Sequence, residues 1–179
     1  MYIREIEKGI DGTGIKPGII KVASDRDGVK PGEELVLRAA ARASLHTGIP
    51  IMTHTWAPAR IGDQQVQILE EEGMDLSKVC IGHSNDTTNM EYLTGLLQKG
   101  VWLGMDRHPG NGPDVPSWKE RTQILKTLID QGWGKRIMIA HDWDSSMGLF
   151  PSEMRSAREN NNPDNYLFII RNVIPYMRR

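Results

Sequence analysis

The chain has a single cysteine, Cys80, so no disulfide can close within it, and a reducing, cytoplasmic location is the expectation. No stretch approaches the roughly 20 apolar residues of a membrane span. The opening MYIREIEKGIDGTG mixes charge with isolated isoleucines and has no apolar signal core. No membrane partner is therefore expected. An excess of one charge is also missing: 22 basic and 23 acidic residues give a net charge of -1. Nucleic-acid and membrane-surface binders need a basic stripe, and none is present. What remains is an ordinary globular composition, 39% hydrophobic and 25% charged.

Short β-branched runs alternate with longer amphipathic segments. GIIKV (Gly18 to Val22) reads as a strand. Pro31 and Gly32 then open a helix over Glu33 to Thr47, which Gly48 stops. Ile49 to Thr53, Val79 to Gly82, Val101 to Met105 and Arg136 to Ala140 read as further strands. Helices are expected over Asp63 to Glu72, Thr87 to Lys99 and Trp118 to Gln131, with a polar loop after Asp142 and a last apolar stretch from Tyr166 to Tyr176. Strands separated by helical crossovers imply a parallel sheet. The unit length is near one eighth of a (β/α)8 barrel, yet 179 residues fall short of the about 250 that a whole barrel takes. An open doubly wound sheet fits the same alternation, but no glycine-rich phosphate loop follows the first strand.

The chemically informative residues gather at one end of these strands. Lys21 lies in the first, His54 ends the second, His83 ends the third and Asp142 ends the fifth. In parallel α/β folds that rim carries the active site. Each residue also has a structural reading. Either histidine alone is more often a hydrogen-bonded structural residue. Lys21 could reach to the surface, Asp142 could cap the next segment and Asp86 could cap the helix expected from Thr87. As a pair at matching positions, the histidines turn toward metal binding, with zinc, cobalt, nickel or iron as candidates. A lysine desolvated inside a barrel would have a lowered pKa and could take up carbon dioxide as a carbamate. His141 should point away from Asp142 and is read as supporting or structural.

Together KVASD, IPIMTHT, IGHSND, WLGMDR and IMIAHDWD resemble strands four to eight of the phosphotriesterase family, within the amidohydrolase superfamily. The resemblance implies a partial (β/α)8 TIM barrel, residues 1–179 forming one domain without the first three strands and the final helix. It implies a divalent metal, zinc first, with cobalt, iron, nickel or manganese as alternatives. Lys21, His54, His83 and Asp142 would be ligands, Lys21 as the carbamate. Asp142 would also be catalytic, taking the proton from a metal-activated hydroxide that attacks an ester, lactone or phosphoester. Asp86 would relay protons out, and Arg107 and Trp143 would bind substrate. Arginine at position 107 looks like the lactonase-like branch; its structural alternative is a salt bridge with Asp106 or Asp114.

No His-x-His pair, which family members carry on their first strand, occurs here. The expectation is therefore a chain with weak or no activity by itself. Its open edges would be met by self-association or by an N-terminal barrel half. The alternative is a non-catalytic fragment or assembly module with residual metal binding. The loops Asp106 to Ser117 and Trp143 to Asn162 are expected to set the small-molecule substrate.

Overall fold

The structure, a computed structural model, describes residues 1–110, 112, 114–143, 149 and 151–178. Five parallel strands form one sheet in sequence order: β1 (Ile20–Ala23), β2 (Ile51–His54), β3 (Val79–Ile81), β4 (Trp102–Met105) and β5 (Ile137–Ile139). Each strand pairs with its chain neighbours, with Lys21 opposite Met52, Met52 opposite Cys80 and Cys80 opposite Trp102. This is the α/β architecture expected, about half of a barrel.

The helices are α1 (Tyr2–Lys8), α2 (Pro31–Thr47), α3 (Ile61–Glu71), α4 (Met90–Gln98), α5 (Trp118–Asp130), α6 (Ser152–Asn161) and α7 (Ile174–Met177). Local chemistry sets their ends. Pro31 starts α2, whose missing N–H would be unpaired in any case. Gly48, at φ 79°, closes it in the left-handed conformation, its N–H donating to Ser44 O at 2.7 Å. Ser117 caps α5 in a capping box with Glu120.

Two helix expectations need correction. The helix expected from Thr87 begins at Met90, because Asn89 is its cap and accepts from the Tyr92 N–H. Residues Ser84–Asp86 form a separate 3-10 turn, so Asp86 does not cap the helix. The loop after Asp142 contains α6, whose polar sequence buries none of its residues and so gave no apolar period. The final apolar stretch is helical, a π-turn at Ile169–Val173 leading into α7. Trp118 of α5 meets Phe168 and Tyr176 edge-on, at 5.6 and 5.4 Å between centroids.

Strand alternation divides the sheet into two faces. Ile20, Val22, Ile51, Val79, Ile81, Leu103 and Met105 are buried against Leu37, Ala41, Leu69, Leu93, Leu96 and Leu125 of the helix layer. The opposite face corresponds to a barrel interior. There Lys21 and Ala23 are exposed and Met52 and His54 are half-buried. Strands β1 and β5 form the two edges of the sheet. Among the described residues, no helix is long and apolar enough to cross a membrane.

Candidate metal centre

Two of the rim residues, His54 and His83, meet at the C-terminal ends of the strands. His54 is the last residue of β2, and His83 lies just beyond β3 with φ 58°. Their rings meet edge to face, 4.5 Å between centroids. The His83 backbone N–H donates to Asp106 Oδ1 at 2.8 Å, and its Nδ1 lies 2.9 Å from the same oxygen. That fixes the ring and leaves Nε2 as the available donor atom, an arrangement common behind metal-bound imidazoles.

Two glycines make room for this contact. A Cβ on Gly104 would sit 2.6 Å from Asp106 Oδ2 and 3.0 Å from Gly82 Cα, and one on Gly82 would collide with Thr53 O. Asp106 Oδ2 is itself buried without a hydrogen-bond partner. By sequence Asp106 stands only as a possible partner for Arg107. Its place at the strand exit, in WLGMDR, is the signal that pointed to it.

Lys21 faces the open side of the sheet, its Nζ donating to Thr53 O at 3.1 Å. The residue as a whole is exposed, but partial burial of the amine beside Thr53 lowers its pKa, opposed by Asp106 and Asp142. Burial also lowers the pKa of His54, helped by His83 and Arg107. Both shifts favour the neutral forms, the ligating form of His54 and, for Lys21, the form that can take up carbon dioxide. Cys80, one strand further along, is pushed up to about 12 by burial and stays a thiol.

Asp142, at φ 50°, accepts from Arg107 Nε at 3.0 Å through Oδ2. Arg107 also donates to Asp86 Oδ2 at 2.7 Å, and Arg121 donates to Asp86 Oδ1 at 2.5 Å. Arg121 and Asp86 are both 1% exposed. Arg107 thus bridges Asp86 and Asp142, rather than pairing with Asp106 or Asp114. Sequence reading missed Arg121, since an arginine on a helix otherwise reads as surface. Asn85 supports the same corner, its Oδ1 accepting from the Arg107 N–H at 3.2 Å.

Asp86, Arg107, Arg121 and Asp142 line a cleft of ≈ 460 Å3 together with Arg26, Trp56, His141 and Trp143. That is the volume of a small-molecule site. Lys21 and His54 line a separate, shallower pocket with Asp25 and Glu33. Part of the expected specificity loop, positions 111, 113, 144–148 and 150, lies outside the described residues.

The donor set fits a metal in part. His54 and His83 present imidazoles edge to face. Lys21 qualifies only as a carbamate, because an ammonium donates and cannot ligate. Among the described residues, no three His, Cys, Asp or Glu side chains converge as a metal-binding group.

The phosphotriesterase family model matches residues 1–179. The chain belongs to the phosphotriesterase family. A phosphotriesterase homology protein of Mycobacterium tuberculosis is 42% identical over 180 residues, covering 100% of this chain and 54% of that protein. An aryldialkylphosphatase of Saccharolobus solfataricus is 41% identical over 143 residues, 80% of this chain and 45% of that one. The human N-acetyltaurine hydrolase is 30% identical over 186 residues, 99% of this chain and 51% of that one. The structure of the phosphotriesterase from Mycobacterium tuberculosis superposes with a TM-score of 0.89 at 39% identity, over 99% of this chain and 54% of that one. The chain thus spans about half the length of the phosphotriesterase relatives it matches.

Proposed function

We propose that this chain is the C-terminal part of a metal-dependent hydrolase of small ester, lactone or phosphoester substrates. The observation that carries the reading is the His54–His83 pair at the strand rim, with the His83 ring held through Nδ1 by Asp106. Two relatives are named as hydrolases, an aryldialkylphosphatase and an N-acetyltaurine hydrolase, which supports the reaction class.

His54, His83 and a carboxylated Lys21 would hold the ion, with Asp142 beside them. Zinc is the first candidate, since imidazole donors suit it, ahead of cobalt, iron, nickel or manganese. A divalent ion there would polarise the scissile bond and lower the pKa of a water. Arg107 holds Asp142 Oδ2, which leaves Oδ1 to accept a proton. The relay role for Asp86 requires Arg107 to release it, because a guanidinium does not give up its proton. Arg107 and Trp143 line the cleft and would position substrate.

The open face and the edges at β1 and β5 are where the other strands of a barrel would pack. The proposal therefore includes an N-terminal barrel half, or a second copy, as the partner. Residues 1–179 would be one partial domain with weak or no activity alone.

A second reading, a non-catalytic module, is favoured by two observations: Asp142 is engaged by Arg107, and among the described residues no three His, Cys, Asp or Glu side chains form a metal-binding group. Metal analysis separates the two. The hydrolase reading expects zinc to co-purify with the chain and to be lost in His54→Ala and His83→Ala. It also expects lactone or ester turnover once an N-terminal half is supplied. A chain whose metal content ignores both substitutions, and which stays inert with that half, would establish the second reading.

A further inference from the structure

We propose that the cleft above Arg107 and Asp142 contains an anion subsite built on Arg26 and Trp56, selecting substrates with a carboxylate remote from the bond that is cut. That the ligand is a substrate rests on the hydrolase reading; the anion site itself does not.

Arg26 sits in a tight turn directly after β1. Asp25 Oδ1 accepts from the Arg26 N–H at 2.8 Å, and Asp25 O accepts from the Gly28 N–H at 3.2 Å. The turn holds the side chain against Trp56, two residues beyond His54, with the guanidinium carbon 4.0 Å from the ring centroid. A guanidinium over an aromatic face loses little freedom when it binds, and its donors stay in the fork that matches a carboxylate. Among the described residues, the Arg26 guanidinium makes no hydrogen bond. Its ion pair with Asp114 is 3.8 Å long, with the two side chains 60% and 66% exposed. A contact that long and that wet contributes little and is readily displaced.

The rest of the cleft agrees in sign. Four arginines and three aspartates line it among the described residues, a balance of one positive charge. The charges of Asp86 and Asp142 are offset by their pairs with Arg107 and Arg121, and Asp114 is the carboxylate that an anion at Arg26 would displace. Arg158, on another wall, donates to Asp142 O at 3.0 Å and lies 5.9 Å from the Trp143 ring. An extended small molecule with its anionic end on Arg26 would lie over Trp56 in the same cleft that Asp142 lines.

The test is equilibrium binding without turnover. The chain is labelled with fluorotryptophan, the Trp56 resonance is assigned with Trp56→Phe, and N-acetylglycine is titrated against its neutral amide. The expected result is a saturable shift of the Trp56 resonance with the carboxylate and none with the amide. Arg26→Gln should weaken the binding about tenfold or more, and Arg26→Lys should do so less. Arg26 is exposed, so the far-ultraviolet spectrum of Arg26→Gln should match that of the parent. An equal response to the amide, no saturable response, or undiminished affinity in Arg26→Gln overturns the proposal. The titration is repeated with zinc. A shift that needs zinc and survives Arg26→Gln would assign the anion to the metal and also overturn it. Failure of the hydrolase reading would leave the metal-free result unchanged, so the two failures are distinguishable.

Discussion

One oxygen of Asp106 holds His83 twice, accepting from its backbone N–H at 2.8 Å and lying 2.9 Å from its Nδ1. Backbone and ring are locked together at the strand rim. The aspartate therefore sets both where the imidazole stands and which nitrogen it offers.

Asp106→Asn should weaken zinc binding by about 10- to 100-fold, the usual effect of losing a carboxylate behind a ligating histidine. Competition with a chromogenic chelator measures it. Unchanged affinity would mean that His83 is not a ligand.

Gly104→Ala should act at the same place by a steric route. Its Cβ would stand 2.6 Å from Asp106 Oδ2. The carboxylate must move, so stability should fall by about 1–3 kcal/mol and zinc affinity should fall with it. Urea unfolding and the chelator titration read the two effects. A stable variant with parent-like affinity would show that the corner adapts freely.

Asp86→Asn should be among the most damaging single substitutions. It leaves Arg121, 1% exposed, without its carboxylate, and breaking a buried pair costs about 3–5 kcal/mol. Arg107→Met should cost less, since Asp86 keeps Arg121 and the Asp142 side chain is 48% exposed. Equal losses in urea unfolding would mean that Asp86 depends on Arg107 as much as on Arg121.

Acid should destabilise the fold through His108. Burial pulls its pKa from 6.5 to about 4, aided by Arg121. Between those values the unfolded chain binds a proton that the folded chain refuses. The stability is therefore fully present above about pH 6.5 and is lost as pH falls toward 4, on the order of 3 kcal/mol in all. His108→Gln should flatten this slope relative to the parent in urea titrations at successive pH values. Parallel slopes for the two proteins would rule His108 out as the cause.

Much of the frame was legible in the sequence. β-Branched runs, Pro31 and Gly48 around α2, and Ser117 with Glu120 at α5 act through contacts a few residues long, so local pattern was enough. Helix α6 was not legible, because it buries no apolar face and so leaves no period to read. Asp86 was misplaced as a cap for a different reason. Asn89 competes for that role within three residues, and only the fold brings Arg107 and Arg121 onto the aspartate.

The sequence by itself put Lys21 in the first strand–helix unit and His54, His83 and Asp142 at the strand ends of the second, third and fifth, because strand period and the succession of units along the chain are read locally. Tertiary structure alone decided their partners. Asp106 reaches His83 across two glycines, and Arg107 joins Asp86 to Asp142 across 21 and 35 residues of chain. Such contacts depend on strand register and on space left by missing side chains, and neither quantity is written in any single segment.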